Sequence, residues 1–149
     1  KKINGTAICL STIIPDLDLF FSMFFNFPMR DITHSILGIF IWTLPLTIIF
    51  SMLFSRHIGP FLAKIVKKDF FFSKPLRYFG VDGWDKLKFK KFNKMYFIIV
   101  SYSAIIGGTT HLLLDLPSHE YIELFFPLII LKNFDFLLFN LIGTKIKNK

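Results

Sequence analysis

Apolar residues form long runs along this chain. Residues 35–54, SILGIFIWTLPLTIIFSMLF, carry no formal charge over twenty positions, and a helix of that length covers about 30 Å, the thickness of the hydrocarbon core of a bilayer. A second run, MYFIIVSYSAIIGGTTHLLLDL, occupies residues 95–116. The pattern predicts a transmembrane helix over each run.

The two ends of the chain are also apolar. Residues 3–15 are too few to cross a bilayer and end at Pro15, where a helix is expected to break, so we expect this first span to begin upstream of the first residue. Residues 124–142 contain Lys132 and Asp135. They fit either a fourth span, in which this pair lies one turn apart, or an interfacial or re-entrant segment.

Composition supports a membrane protein. The 149 residues are 53% hydrophobic and 19% charged, with a mean hydropathy of +0.55, which excludes an intrinsically disordered chain. The single cysteine, Cys9, excludes an internal disulfide. We therefore predict an all-α polytopic membrane protein, with residues 1–149 forming one integral membrane domain built as a bundle of about four transmembrane helices.

The net charge of +8 is concentrated in one segment. Residues 56–94 contain eleven Lys or Arg and three Asp, which gives this segment a net charge of +8. The rest of the chain contains seven basic and seven acidic residues and is neutral. Because cytoplasmic loops are rich in Lys and Arg, we predict that residues 56–94 form a basic cytoplasmic loop of a protein of the inner (cytoplasmic) membrane. Within it, the lysines and phenylalanines of Lys86–Lys94 suit anionic lipid headgroups better than nucleic acid, and no nucleic-acid partner is expected.

This topology collects histidines and carboxylates at the outer ends of the predicted helices. His111 and Asp115 are four residues apart and share a helix face, so together they offer a nitrogen and an oxygen to one cation. The alternative is structural, with His111 bonded to a backbone carbonyl and Asp115 capping a turn. Ionisable side chains near a bilayer are costly and favour the functional interpretation. Asp16 and Asp18 suit a metal site and a polar turn equally well.

The ordered motifs IIPDLD, THS and GGTTHLLLD, with the later HEYIELFFPL, resemble the membrane-bound metal-dependent hydrolases. This family comprises LexA-regulated inner-membrane hydrolase-like proteins and archaeal relatives of unknown function. The resemblance covers nearly the whole chain. It implies a metal site, with the matching ligand positions at Asp16, Asp18, His34, His111 and Asp115.

These features predict a metal-dependent hydrolase acting on a lipid or a lipid-linked ester or phosphate at the outer interface. Mixed histidine and carboxylate ligands favour zinc, with manganese or iron as alternatives. Asp18 or Glu120 is predicted to act as general base, although Glu120 also suits a solvated loop. The alternative function is a non-enzymatic membrane protein that binds or conducts a metal ion or proton.

Overall fold

The computed structural model describes residues 3–25, 30–68, 73–116 and 124–126. These residues are helical or lie in turns and short connections, and no strand occurs among them. We number the α-helices in chain order as follows: α1 Gly5–Ile13, α2 Leu17–Phe25, α3 Arg30–Thr33, α4 Ile36–Lys67, α5 Ser73–Tyr78 and α6 Lys94–Asp115. A 3-10 helix, Val81–Phe89, lies between α5 and α6. The predicted all-α class is confirmed for the described part of the chain.

Helices α1 and α2 are separated by a bend at Pro15. The Asn4 side chain caps α1 by accepting a hydrogen bond from the backbone N–H of Ala7, and α1 ends at Ile13 because Pro15 has no N–H to continue the helical ladder. The chain resumes as α2 at an angle of 43°. The predicted break is therefore observed. It separates two helices, where the sequence analysis predicted a single span ending at residue 15.

Helix α4 is much longer than the uncharged run that predicted it. It extends 32 residues, about 48 Å, and passes through π-helical turns at Ile39–Thr43 and Phe54–Ile58. The loop predicted over 56–94 is consequently not confirmed, because its described residues include the end of α4, α5 and the 3-10 helix. Helix α6 spans 22 residues and agrees with the run predicted at 95–116.

Two helices, α4 and α6, are long and apolar enough to cross a membrane, and the bent pair α1–α2 supplies a third candidate if it counts as one span. Many large apolar side chains in these helices are exposed, including Met23, Ile41 and Leu114, as expected for surfaces that face lipid. Four spans are not confirmed. Of the span predicted over 124–142, all but the turn at 124–126 lies outside the described residues.

The chain divides into two compact units, residues 1–48 with 99–149 and residues 49–98. In the first unit α1 lies directly against α6. A Cβ at Gly107 would overlap Ser11 Oγ and lie 2.8 Å from the Ile8 carbonyl oxygen, and the Asn4 N–H donates to Ser103 Oγ at 3.0 Å. Glycine at position 107 therefore permits this close approach.

The second unit packs the end of α4 against the 3-10 helix. The rings of Phe54 and Trp84 meet edge to face with centroids 5.3 Å apart. Leu87 lies 3.0 Å from where a Cβ on Gly59 would stand. The two elements are thus in van der Waals contact along the first turns after the π-helical segment.

Candidate metal centre

Three chain segments bring histidine and aspartate side chains together in the first unit. Asp16 lies in the turn between α1 and α2, His34 in the turn between α3 and α4, and His111 and Asp115 on the last turns of α6. The turn that holds His34 is fixed by Ser35, whose hydroxyl accepts from the Gly38 N–H at 3.0 Å and donates to the Ile32 carbonyl at 2.7 Å.

The distances between the histidine nitrogens and the aspartate oxygens of these four side chains are short. His34 Nε2 lies 3.4 Å from Asp16 Oδ1 and 3.6 Å from Asp115 Oδ2. His111 Nε2 lies 3.6 Å and 3.2 Å from the same two atoms. One ligand atom from each residue lies within 4.8 Å of the others. Zinc bonds of about 2.0–2.1 Å give a tetrahedron with edges of about 3.4 Å, and the four histidine–aspartate distances are close to that value.

The two imidazole nitrogens that face this group are buried and unpartnered. His34 is 3% exposed and His111 is 9% exposed. Neither Nε2 has a hydrogen-bond partner among the described residues. Leaving a buried nitrogen without a partner costs free energy. A cation placed between the two nitrogens and the two carboxylates would satisfy all four groups, so these residues fit a divalent metal.

The other nitrogen of His34 is held by Thr33. The Thr33 hydroxyl donates to the Arg30 carbonyl at 3.2 Å and lies 3.0 Å from His34 Nδ1. When the single hydroxyl proton is donated to the Arg30 carbonyl, the Thr33 oxygen can accept from a His34 Nδ1–H. That tautomer leaves the lone pair of His34 on Nε2, the atom that faces the cluster.

Asp18 lies on the same side of His34 as Thr33. Its side chain is buried, Oδ2 is 3.8 Å from His34 Nδ1, and Oδ1 has no hydrogen-bond partner among the described residues. Asp18 was predicted as both a ligand and a base. The structure places it at the Nδ1 edge of the ring and outside the group of four. Thr33 was not among the predicted site residues, although a hydroxyl directly before a candidate ligand histidine is a usable signal.

The cluster is negatively charged and open on one side. Three carboxylates, from Asp16, Asp18 and Asp115, lie within 4 Å of a His34 ring nitrogen, an arrangement that attracts a cation. The Asp16 side chain is 52% exposed and that of Asp115 is 22% exposed. The Asp16 side is therefore the accessible side of the cluster. Glu120, the other predicted base, lies outside the described residues.

Fold and site together define an all-helical protein that has two helices able to cross a membrane and a His/Asp group able to hold a metal. Residues 1–133 match the family described as a domain of unknown function (DUF4184), and the chain belongs to this family. No curated protein and no solved structure matches the chain. The family description names no activity, so the resemblance to metal-dependent hydrolases stays a prediction.

Proposed function

We propose that this protein holds one divalent metal ion through Asp16, His34, His111 and Asp115 and uses it for hydrolysis. The observation that carries the proposal is the pair of buried Nε2 atoms, unpartnered among the described residues and 3.2–3.6 Å from two carboxylate oxygens. Two nitrogen and two oxygen donors favour zinc, and manganese or iron would accept the same donors.

When bound, such an ion supplies Lewis acidity and makes a water molecule easier to deprotonate. The residues of the chain provide the orientation. Thr33 fixes the tautomer of His34, and the buried Asp18 adds negative charge at the Nδ1 edge of the same ring. Asp16 is the most exposed of the four proposed ligands, so substrate and water are expected to approach past its carboxylate. Asp18 and Glu120 stay the two predicted candidates for the general base.

The proposed substrate is a lipid or a lipid-linked ester or phosphate. Helix α4 begins two residues after His34, and α6 ends at Asp115, so the cluster lies at one end of each candidate span. The basic residues begin at the far end of α4. If these basic residues face the cytoplasm, the cluster lies at the outer interface of the cytoplasmic membrane, where reactive groups of lipids are accessible.

The test is elemental analysis of the detergent-purified wild-type protein and of the variants His34→Ala and His111→Ala. His57→Ala is the matched control, because His57 is exposed and lies outside the cluster. We expect about one zinc, manganese or iron per chain in the wild type and the control, and almost none in the two cluster variants. Hydrolysis of a panel of lipid phosphates and esters should follow the metal content. Equal metal content in all four proteins would refute the proposal and leave the cluster as an imidazolium–carboxylate ion-pair network.

One observation supports the alternative of a protein that binds or conducts an ion without turnover. Thr43, Thr47 and Ser51 recur every four residues on α4 and are completely buried. The hydroxyls of Thr43 and Ser51 have no hydrogen-bond partner among the described residues. Polar groups in a membrane helix often mark an ion pathway. Metal-dependent flux into proteoliposomes, lost in Thr47→Val and unaccompanied by hydrolysis, would favour this alternative.

A further inference from the structure

We propose that the second unit carries a binding groove for the phosphate headgroup of an anionic membrane phospholipid, formed by Arg56 and Lys64 of α4 and Lys88 of the 3-10 helix. The groove is separate in sequence from the histidine–aspartate cluster. It does not depend on the proposed metal site.

The groove is an open cavity of about 800 Å³ between the end of α4 and the last turns of the 3-10 helix. Its walls are kept in place by the contacts of Gly59 with Leu87 and by an ion pair in which Lys67 Nζ lies 2.7 Å from Asp85 Oδ2. Residues from both walls line it: Arg56, His57, Ile58, Pro60, Phe61, Lys64, Asp85, Lys88 and Phe89.

The charge of this groove is positive after its internal pairs are counted. Asp85 is its single carboxylate, and the hydrogen bond from Lys67 lowers the pKa of Asp85, which keeps that carboxylate ionised and matched by Lys67. In the described part of the chain, no carboxylate lies within ion-pair distance of Arg56, Lys64 or Lys88. Three cations therefore face the cavity with no internal counter-ion among those residues, as a phosphate site requires.

The apolar part of the lining distinguishes a lipid from a free anion. Phe61 is 62% exposed, Phe89 is 83% exposed and Ile58 is 48% exposed. A soluble phosphate compound gains nothing from these surfaces. A phospholipid places its phosphate among the cations and its glycerol and first methylenes against the phenylalanines.

The length of α4 places the groove at the level of the headgroups. A span of twenty residues that starts at Ile36 covers about 30 Å of hydrocarbon and ends at Ser55. Arg56 is the first charged residue of the helix, and Lys64 follows two turns later. Because the cations begin where the hydrocarbon is expected to end, a membrane lipid is favoured over a nucleic acid as occupant.

The experiment measures retention of phosphatidylglycerol and phosphatidylcholine on the purified full-length protein by native mass spectrometry. The variant is the double substitution Lys64→Glu and Lys88→Glu. The control is Lys74→Glu with Lys94→Glu, two equal charge changes in the same basic segment at positions that do not line the groove. Each of these residues is exposed, so the fold is expected to tolerate the change, and an unchanged elution volume verifies it.

We expect phosphatidylglycerol retention to fall about 10- to 30-fold in the groove variant, from the loss of two cation–lipid attractions, and less than threefold in the control. Phe61→Ala with Phe89→Ala should weaken phosphatidylglycerol retention, and millimolar glycerol phosphate should not displace the lipid from the wild-type protein. Equal losses in groove and control variants would overturn the proposal in favour of diffuse attraction. Displacement of the lipid by millimolar glycerol phosphate would also overturn the proposal. So would an oligonucleotide that binds more tightly than the lipid and loses affinity in the groove variant. Metal content should be unaffected in every groove variant, so the two proposals fail independently.

Discussion

Replacing Thr33 with valine tests the orientation of His34 in the proposed metal site. Thr33 is completely buried, and its hydroxyl connects the Arg30 carbonyl to His34 Nδ1. Valine has nearly the same shape but no oxygen. The Nδ1–H then loses its acceptor, and the tautomer with hydrogen on Nε2 becomes competitive. That hydrogen would occupy the position at which a metal must bind.

The magnitude follows from both roles of the hydroxyl. Removing an outer partner of a metal-bound histidine typically weakens metal affinity 10- to 100-fold, which corresponds to about 1.4–2.8 kcal/mol. The buried Nδ1–H left without an acceptor costs about 1–3 kcal/mol of folding stability. We therefore expect Thr33→Val to bind zinc 10- to 100-fold more weakly and to unfold at a lower temperature even without metal.

The assay is competition for zinc between a chromophoric chelator and the protein in detergent. Thr33→Ser is the matched control, because serine retains the hydroxyl and loses only a methyl group. Its zinc affinity should stay within about threefold of wild type if the hydrogen bond is what matters. Wild-type zinc affinity in Thr33→Val, or an equal loss in Thr33→Ser, would refute the assigned role of the hydroxyl.

Two further predictions concern packing and charge. Gly107→Ala should lower the free energy of unfolding by about 1–3 kcal/mol, because its Cβ would overlap α1. Gly108→Ala is the control, because its Cβ would meet its nearest neighbours at an ordinary 3.4–3.6 Å, and it should leave the thermal unfolding temperature in detergent nearly unchanged. Equal losses of stability in the two variants would contradict the packing of α1 against α6. Lys67→Met should raise the pKa of Asp85 towards 3.8 in an NMR titration. The lowered pKa stabilises the fold above pH 3.8, and this stabilisation is lost as the pH falls from 3.8 through the lowered pKa of Asp85. The variant should therefore also lose part of the dependence of its stability on acid pH. An unchanged Asp85 pKa would show that Lys67 does not cause the lowering.

The helix positions and the approximate place of the cluster could be predicted because both rest on spacing along the chain. An uncharged run of sufficient length specifies a span without knowledge of its neighbours, and α6 begins and ends within one residue of the prediction. His111 and Asp115 share a face in any α-helix. That periodicity puts the two side chains within reach of each other, and His111 Nε2 lies 3.2 Å from Asp115 Oδ2.

The end of α4 could not be predicted from hydropathy, because a helix need not stop where the bilayer stops. Beyond residue 54 its pattern changes from uniformly apolar to amphipathic. Ala63 and Val66 are buried, while Lys64 and Lys67 are exposed. A charged segment with this period is still a good helix. The loop predicted to begin at residue 56 is therefore not confirmed, because α4 continues to Lys67.

The different positions of Asp16 and Asp18 show what spacing alone leaves open. Two residues apart on extended backbone, both carboxylates can reach one ion, and the family resemblance implied both as ligands. Here α2 begins at Leu17, so Asp18 is already helical, and successive side chains are turned by about 100°. The two carboxylates consequently diverge, and they meet opposite edges of the His34 ring: Asp16 at Nε2 and Asp18 at Nδ1. The start of α2 between the two residues therefore separates a proposed metal ligand from a carboxylate at the opposite edge of the same ring.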